Sequence, residues 1–503
     1  MLSVARYRLI LFVRLAFLGV HSVGSLLGIV YRSKTPNLYK NNAHNKVGWL
    51  LTGIILAQCV LEIVKFAASI GKSEARSEEQ EAFLHPVSEK VMQHEQTHAY
   101  RYSNGSGHFT ASESSRSQSV SSMMDPHKEE QEQKLHAYKN PRADVEADCT
   151  EKLGLLCQAK LHRFTLGVPA NLSRKTIHTL NVMDSIINSI SLLLGFVAII
   201  SGAVVYGGVF RGNSIFNGMA HSVKGGIFFW YGLLTLGRWM GCFADMGWAW
   251  NVKPPVGIVN RRVFRMPSAE FVESFVIFLY GVSNVWLEHL AAWGSAWSAQ
   301  DYEHVSISIL FFGGGLCGML VESEKVRNFL NTTIVASATA HRTQRTGDPF
   351  LPPKSYASSM NPFPALIIFL LGLLMSSHDQ SSMVSTTIHK QWGTLFVGFA
   401  LARAITYIMI YISPPTSYLP SRPPSELISS FCLISGGLVF IVSNKDTVAA
   451  MEDHDIHAMF PFTIIMGFTA FLMAWVIITL AIKGWALRKT RTPTSRLSAA
   501  EHD

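Results

Sequence analysis

Residues 458–485 read AMFPFTIIMGFTAFLMAWVIITLAIKGW, a run in which Lys483 is the only charged side chain. About 20 mostly apolar residues cross the hydrocarbon core as a helix, and helical hydrogen bonding is how a single segment satisfies its backbone there. The run therefore predicts a membrane span. The same template finds about ten candidates, near 8–31, 47–69, 179–207, 218–244, 268–293, 304–322, 362–377, 389–412, 424–444 and 458–485. The expected fold is an all-α integral membrane protein, a polytopic bundle of about ten transmembrane helices. Composition agrees: 48% of the 503 residues are hydrophobic and 15% charged, against roughly 25% charged in a soluble domain.

Lys and Arg exceed Asp and Glu by 43 to 34, a formal charge of +9. In a chain of this class basic excess reports topology and anionic lipid, so nucleic acid is excluded as a partner and the lipid bilayer is the first one. The tail (Lys483, Arg488, Lys489, Arg491, Arg496) and the loops with Lys253, Arg261, Arg262, Arg265 and with Lys325, Arg327, Arg342, Arg345, Lys354 share one side. The positive-inside rule makes that side, and the carboxyl terminus, cytoplasmic. The first loop, with Arg32, Lys34, Lys40 and Lys46, is the exception. Arg6 and Arg8 lead straight into a full-length helix, which is not the pattern of a signal peptide. Residues 72–176 hold a Ser-rich run and acidic clusters and are expected to be a mostly disordered hydrophilic loop. Six cysteines without paired spacing make neither a disulfide framework nor a zinc motif.

Ionisable groups inside hydrocarbon are costly and are the first places to look for function. With the predicted topology His44, His221, His289, His304, His378, His389, His454 and His457 share the outer face. Imidazole ligates metals and relays protons, although amphipathic side chains also favour helix ends. The densest constellation is Asn284 with Glu288 and His289, then Asp301, His304, His378, Asp379 and His389. Glu288, His289, His304, His378 and His389 suit a first-row transition metal ion or a proton path. Arg238 and Asp245 lie on one helix face and are expected to pair. Arg403 needs a partner, and Asp184 sits in a polar stripe (His178, Asn181, Asn188, Ser191) that must face protein or water. Gly24-x-x-x-Gly28 and Gly313-Gly314-Gly315 with Gly318 predict close helix contacts. His94-Glu95-Gln96-Thr97-His98 matches the zinc-protease pattern H-E-x-x-H, but it falls in the hydrophilic loop without an assured third ligand, and a solvated loop is the expectation. Asn104, Asn171 and Asn331 open glycosylation sequons, unused if their loops are cytoplasmic.

KGGIFFWYGLLTLGRWMGCFADMGWAWN (224–251), ESFVIFLYGVSNVWLEHL (273–290), FFGGGLCGMLVES (311–323) and HDQSSMVSTTIHKQWG (378–393) resemble the fungal Ytp-like family of integral membrane proteins over most of residues 200–490. NLYKNNAHNKVGWLLTGIILAQ (37–58) resembles the accompanying domain, which is similar to transmembrane cytochrome b561 domains. Those domains hold haem b between helices with pairs of His. The resemblance implies His44 and His221 as haem ligands, with His21 and His178 as a second pair. It also implies a signal peptide and one further helix ahead of Met1, so the chain is expected to be amino-terminally shortened.

The domain reading is 1–71 as b561-like helices, 72–176 as loop, 177–215 as a linking helix, 216–486 as the Ytp-like domain and 487–503 as a basic, then polar tail. Three functions follow: haem-linked transmembrane electron transfer with a redox partner; a metal-ion or proton transporter using the outer His and Glu cluster, with Arg403 and Asp184 along the path; and a non-catalytic scaffold. The sequence leaves the oligomeric state open.

Overall fold

A computed structural model describes residues 2–35, 38–39, 42–84, 174–212, 214–287, 294, 296–340, 353–356, 358–377 and 380–499. Its helices are α1 (Leu2–Lys34), α2 (Ala43–Leu84), α3 (Arg174–Gly207), α4 (Ser214–Met240), α5 (Ala269–Leu287), α6 (Ala299–Glu322), α7 (Glu324–Ala340), α8 (Phe363–Ser377), α9 (Met383–Ile412), α10 (Ser425–Val442), α11 (Lys445–Asp453) and α12 (Met459–Ala499). Each of the ten apolar segments holds a helix within its described residues. Among the described residues seven stretches are long and apolar enough to cross a membrane, in α1, α2, α3, α6, α9, α10 and α12. The chain is a polytopic all-α membrane protein.

Two helices outrun the expected boundaries. α2 continues past residue 71 through KSEARSEEQEAFL to Leu84, because Glu, Lys, Ala, Arg and Gln are strong helix formers and an existing helix propagates without a new nucleus. α12 likewise runs into the basic tail as far as Ala499. The H-E-x-x-H match at 94–98 lies outside the described residues.

The chain forms two units, Met1–Pro36 with Asn41–Ala198, and Asn37–Lys40 with Ile199–Asp503. In the first, Leu51, Ile55 and Cys59 of α2 pack with Leu18, Leu194 and Ala198. Asp184 takes hydrogen bonds from Arg14 (3.1 Å) and Lys65 (3.0 Å), and Glu62 lies 3.5 and 3.4 Å from the same two cations. Two cations and two carboxylates balance. Gln58 donates to Asn188 at 2.9 Å, so Asp184, Asn188 and Ser191 of the polar stripe of α3 meet protein, while His178 and Asn181 are exposed.

In the second unit the core gathers Trp392, Phe396, Phe399, Leu433, Phe440, Phe228 and Ile368. Close helix contact is built on Gly315 and Gly318 of the expected run, where a Cβ would collide with the Phe278 backbone and with Ser274, though not on Gly313, which meets open space; Gly281, which spacing did not single out, packs against the Phe312 backbone. Gly24 and Gly28 differ. No atom stands within 4 Å of a Cβ at either, so this pair makes no close contact among the described residues.

Candidate functional site

Four helices of the second unit bring five charged side chains together out of water. Arg238 comes from the last turn of α4, Glu270 and Glu273 from the first turns of α5, Arg403 from α9 and Glu426 from the first turn of α10. Arg403 and Glu426 are fully buried and Arg238 is 1% exposed. Arg238 donates Nε to the Trp248 carbonyl (2.7 Å), Nη1 to Glu273 Oε1 (2.5 Å) and Nη2 to Glu270 Oε1 (2.7 Å). Arg403 donates Nη1 to Glu273 Oε2 (3.2 Å), and its Nε stands 2.8 Å from Glu426 Oε1 in an ion pair whose angle does not make a hydrogen bond. Glu273 thus bridges both guanidiniums. Three carboxylates against two guanidiniums leave a formal charge of −1 where the dielectric is low and an unbalanced charge is expensive.

Two loops close this end of the unit. Trp250 places its ring 4.3 Å from the Arg238 guanidinium carbon and 5.7 Å from that of Arg403, a double cation–π contact. Its φ of 50° is the left-handed conformation, which costs a bulky residue about 1–3 kcal/mol and persists only when the surroundings impose it. Those surroundings are in place. Asn251 Nδ2 donates to the carbonyls of Ala244, Val252 and Tyr418, Val252 N donates to the Ser417 carbonyl, and Ser421 donates to the carbonyls of Ala249 and Trp250. Residues 244–252 and 417–421 are one hydrogen-bonded cap.

The network corrects one expectation and completes another. Arg238 does not pair with Asp245, whose side chain accepts from the Met246 amide; its carboxylates lie on the next helix, 32 and 35 residues on. Arg403 has the partners it required, Glu273 and Glu426.

The expected metal cluster is only partly in view. Glu288, His289 and His378 lie outside the described residues. Among the described residues no group of three or more His, Cys, Asp or Glu is placed to hold a metal ion. Asp301 closes a capping box with Ser298 at the start of α6. Asn284 donates to Ser308 Oγ at 2.6 Å, which donates to the His304 carbonyl, tying α5 to α6. His304 is half-buried in the first turns of α6. His389 is buried, with Nδ1 2.8 Å from the Ser385 carbonyl and its ring 5.7 Å from Trp392.

The two expected haem ligands belong to different units, His44 to the first and His221 to the second. His221 has Nδ1 2.9 Å from the Asn217 carbonyl and packs 5.4 Å from Phe440. A carbonyl can only accept, so Nδ1 carries a proton. In the first unit His21 Nε2 is engaged by Thr52 Oγ1 at 2.7 Å and His178 is exposed, which does not fit a second haem pair.

Residues 194–484 match the family model described as Protein YTP1-like, C-terminal, and residues 1–68 match a domain of unknown function, DUF2427. Uncharacterized membrane protein C3B8.06 of Schizosaccharomyces pombe is 42% identical over 310 residues, 62% of this chain and 60% of that one. Uncharacterized membrane protein YCR061W of Saccharomyces cerevisiae is 41% identical over 314 residues, 59% of this chain and 47% of that one. Protein YTP1 of Saccharomyces cerevisiae is 25% identical over 225 residues, 44% and 40% of the two chains. The chain spans about half the length of the curated relatives it matches. No solved structure matches it.

Proposed function

The chain belongs to the YTP1-like family and is a multi-pass membrane protein, and from the charge balance of its second unit we propose that it carries protons across the bilayer. The observation that carries the reading is the surplus carboxylate: Glu270, Glu273 and Glu426 against Arg238 and Arg403, enclosed by four helices and a cap. A site of formal charge −1 in low dielectric becomes neutral by taking one positive charge, and a proton is the one that fits without room of its own. Glu270 and Glu273 accept two short bonds from Arg238, whereas Glu426 has a single ion pair, so Glu426 is the carboxylate that takes the proton. His221 and His389 stand toward the other ends of α4 and α9, the latter about 21 Å from Arg403 at 1.5 Å per residue; we assign them the outer side, with the carboxyl terminus cytoplasmic. The test is proton flux into proteoliposomes with a trapped pH-sensitive dye under an imposed potential. Wild type exceeds empty vesicles and Glu426→Gln does not; wild type equal to empty vesicles overturns the reading.

A further inference from the structure

Five side chains around Arg403 carry buried polar atoms without a hydrogen-bond partner among the described residues: Arg403 Nη2, Glu426 Oε2, Ser429 Oγ, Thr235 Oγ1 and Tyr231 Oη. Helix register puts them at one level. α4 and α9 run side by side, Phe228 meeting Phe396 and Tyr231 meeting Phe399; Thr235 follows Tyr231 by the same four residues that separate Arg403 from Phe399. α10 runs antiparallel to both, with a Cβ at Gly225 meeting Gly437 and one at Gly232 meeting Ile434, while Thr406 bonds Ser425 and Arg403 pairs with Glu426. Ser429 is one turn past Glu426 and falls beside Arg403 and Thr235.

The hydroxyls have given up their ordinary bonds. In an apolar helix Ser and Thr donate to the carbonyl four residues back, as Ser430 does to Glu426, Ser435 to Phe431 and Thr406 to Ala402. Thr235 and Ser429, both fully buried, do not. Each buried polar group left unsatisfied costs about 1–3 kcal/mol, and five together would consume much of a protein's stability.

We infer that these atoms hold ordered water, a buried file joining Glu426, Ser429, Thr235 and Tyr231, the last of which also stands beside Glu273. The chemistry selects the ligand. Arg403 Nη2 can only donate, an ionised Glu426 Oε2 can only accept, and three hydroxyls do both. A metal ion would face the guanidinium N–H, and an anion would enter a site already at −1. Water donates and accepts, and buried waters typically make about three such bonds. In the proton-carrying reading, on which this role rests, the file delivers the proton to Glu426: an O–H bond of the nearest water breaks, a carboxyl O–H forms, and the water regains a proton from the next.

The presence of the water is tested without measuring transport. Brief radiolysis of the full-length protein in detergent generates hydroxyl radicals from bound water inside the fold, and mass spectrometry reads where they add. Tyr231 is expected to be modified several-fold faster than Tyr280, a tyrosine likewise part-buried and packed on Phe311. The Thr235→Val and Ser429→Ala double variant brings Tyr231 down to the rate of Tyr280; if that variant does not fold, the wild-type comparison decides. Equal rates at Tyr231 and Tyr280 in wild type overturn the water file. Rapid labelling of Tyr231 together with absent proton flux keeps the file and removes the proton reading alone.

Discussion

Arg403 and Glu426 stand 2.8 Å apart, Nε to Oε1, with side-chain exposures of 1% and 0%. Because the network holds one carboxylate too many, its two halves are not equivalent. Glu426→Gln takes the formal charge from −1 to zero and leaves the fold at or above wild-type stability. Arg403→Gln takes it to −2 and strands Glu426, while Glu273 keeps Arg238, a loss of about 3–5 kcal/mol. Thermal unfolding in detergent, followed by loss of monodisperse elution, reads the asymmetry. Equal losses from both variants would mean that no surplus charge exists.

The balanced network of the first unit behaves differently. Asp184 accepts from both Arg14 and Lys65, so Asp184→Asn leaves surplus positive charge and lowers the unfolding temperature. Lys65→Gln on top of it restores part of the loss, since it removes the stranded charge, and neither variant changes proton flux. A double-mutant cycle measures the coupling.

Trp250 lies in the left-handed conformation because the cap and two guanidiniums hold it there. Trp250→Phe keeps a ring over Arg238 and costs little. Trp250→Ala loses both cation–π contacts and uncovers the network, so it unfolds at lower temperature and passes protons faster than wild type in proteoliposomes.

Glycine spacing alone did not separate packed from open positions. Gly281→Val drives a side chain into the Phe312 backbone, an overpacking of about 1–3 kcal/mol or more. Gly24→Leu meets open space and is neutral. Expression and melting of the two variants compare them directly.

The helices were legible because spanning length and apolar content are properties of a contiguous segment, and each of the ten segments holds a helix within its described residues. The charge network was legible only from one side. Arg238 and Arg403 stood out as cations in apolar helices, but same-helix spacing offered Asp245 as the partner of Arg238, and the true partners come from other helices. Glu270 and Glu426 passed unnoticed because carboxylates in a first helical turn are ordinary dipole partners, and Glu273, one turn past Glu270, was taken with them. The usable sign was numerical: two intramembrane arginines demand carboxylates, and Glu270 and Glu273, three apart at the head of an apolar run, were the nearest on offer. The polar stripe of α3 was legible in part: Asp184, Asn188 and Ser191 meet α1 and α2 side chains, whereas His178 and Asn181 are exposed. Alignment of the histidines at one face was an expectation of the predicted topology; His304 lies in the first turns of α6, and His389 lies two turns into α9 against Trp392.

The most direct test of the account is an infrared difference titration of the protein in lipid nanodiscs, following the stretching band of a protonated carboxyl group. The account predicts that one such carboxyl gains and loses its proton as pH is varied, and that the band disappears in Glu426→Gln while persisting in Glu322→Gln. A spectrum with no titrating carboxyl in wild type, or a band unchanged by Glu426→Gln, would contradict it.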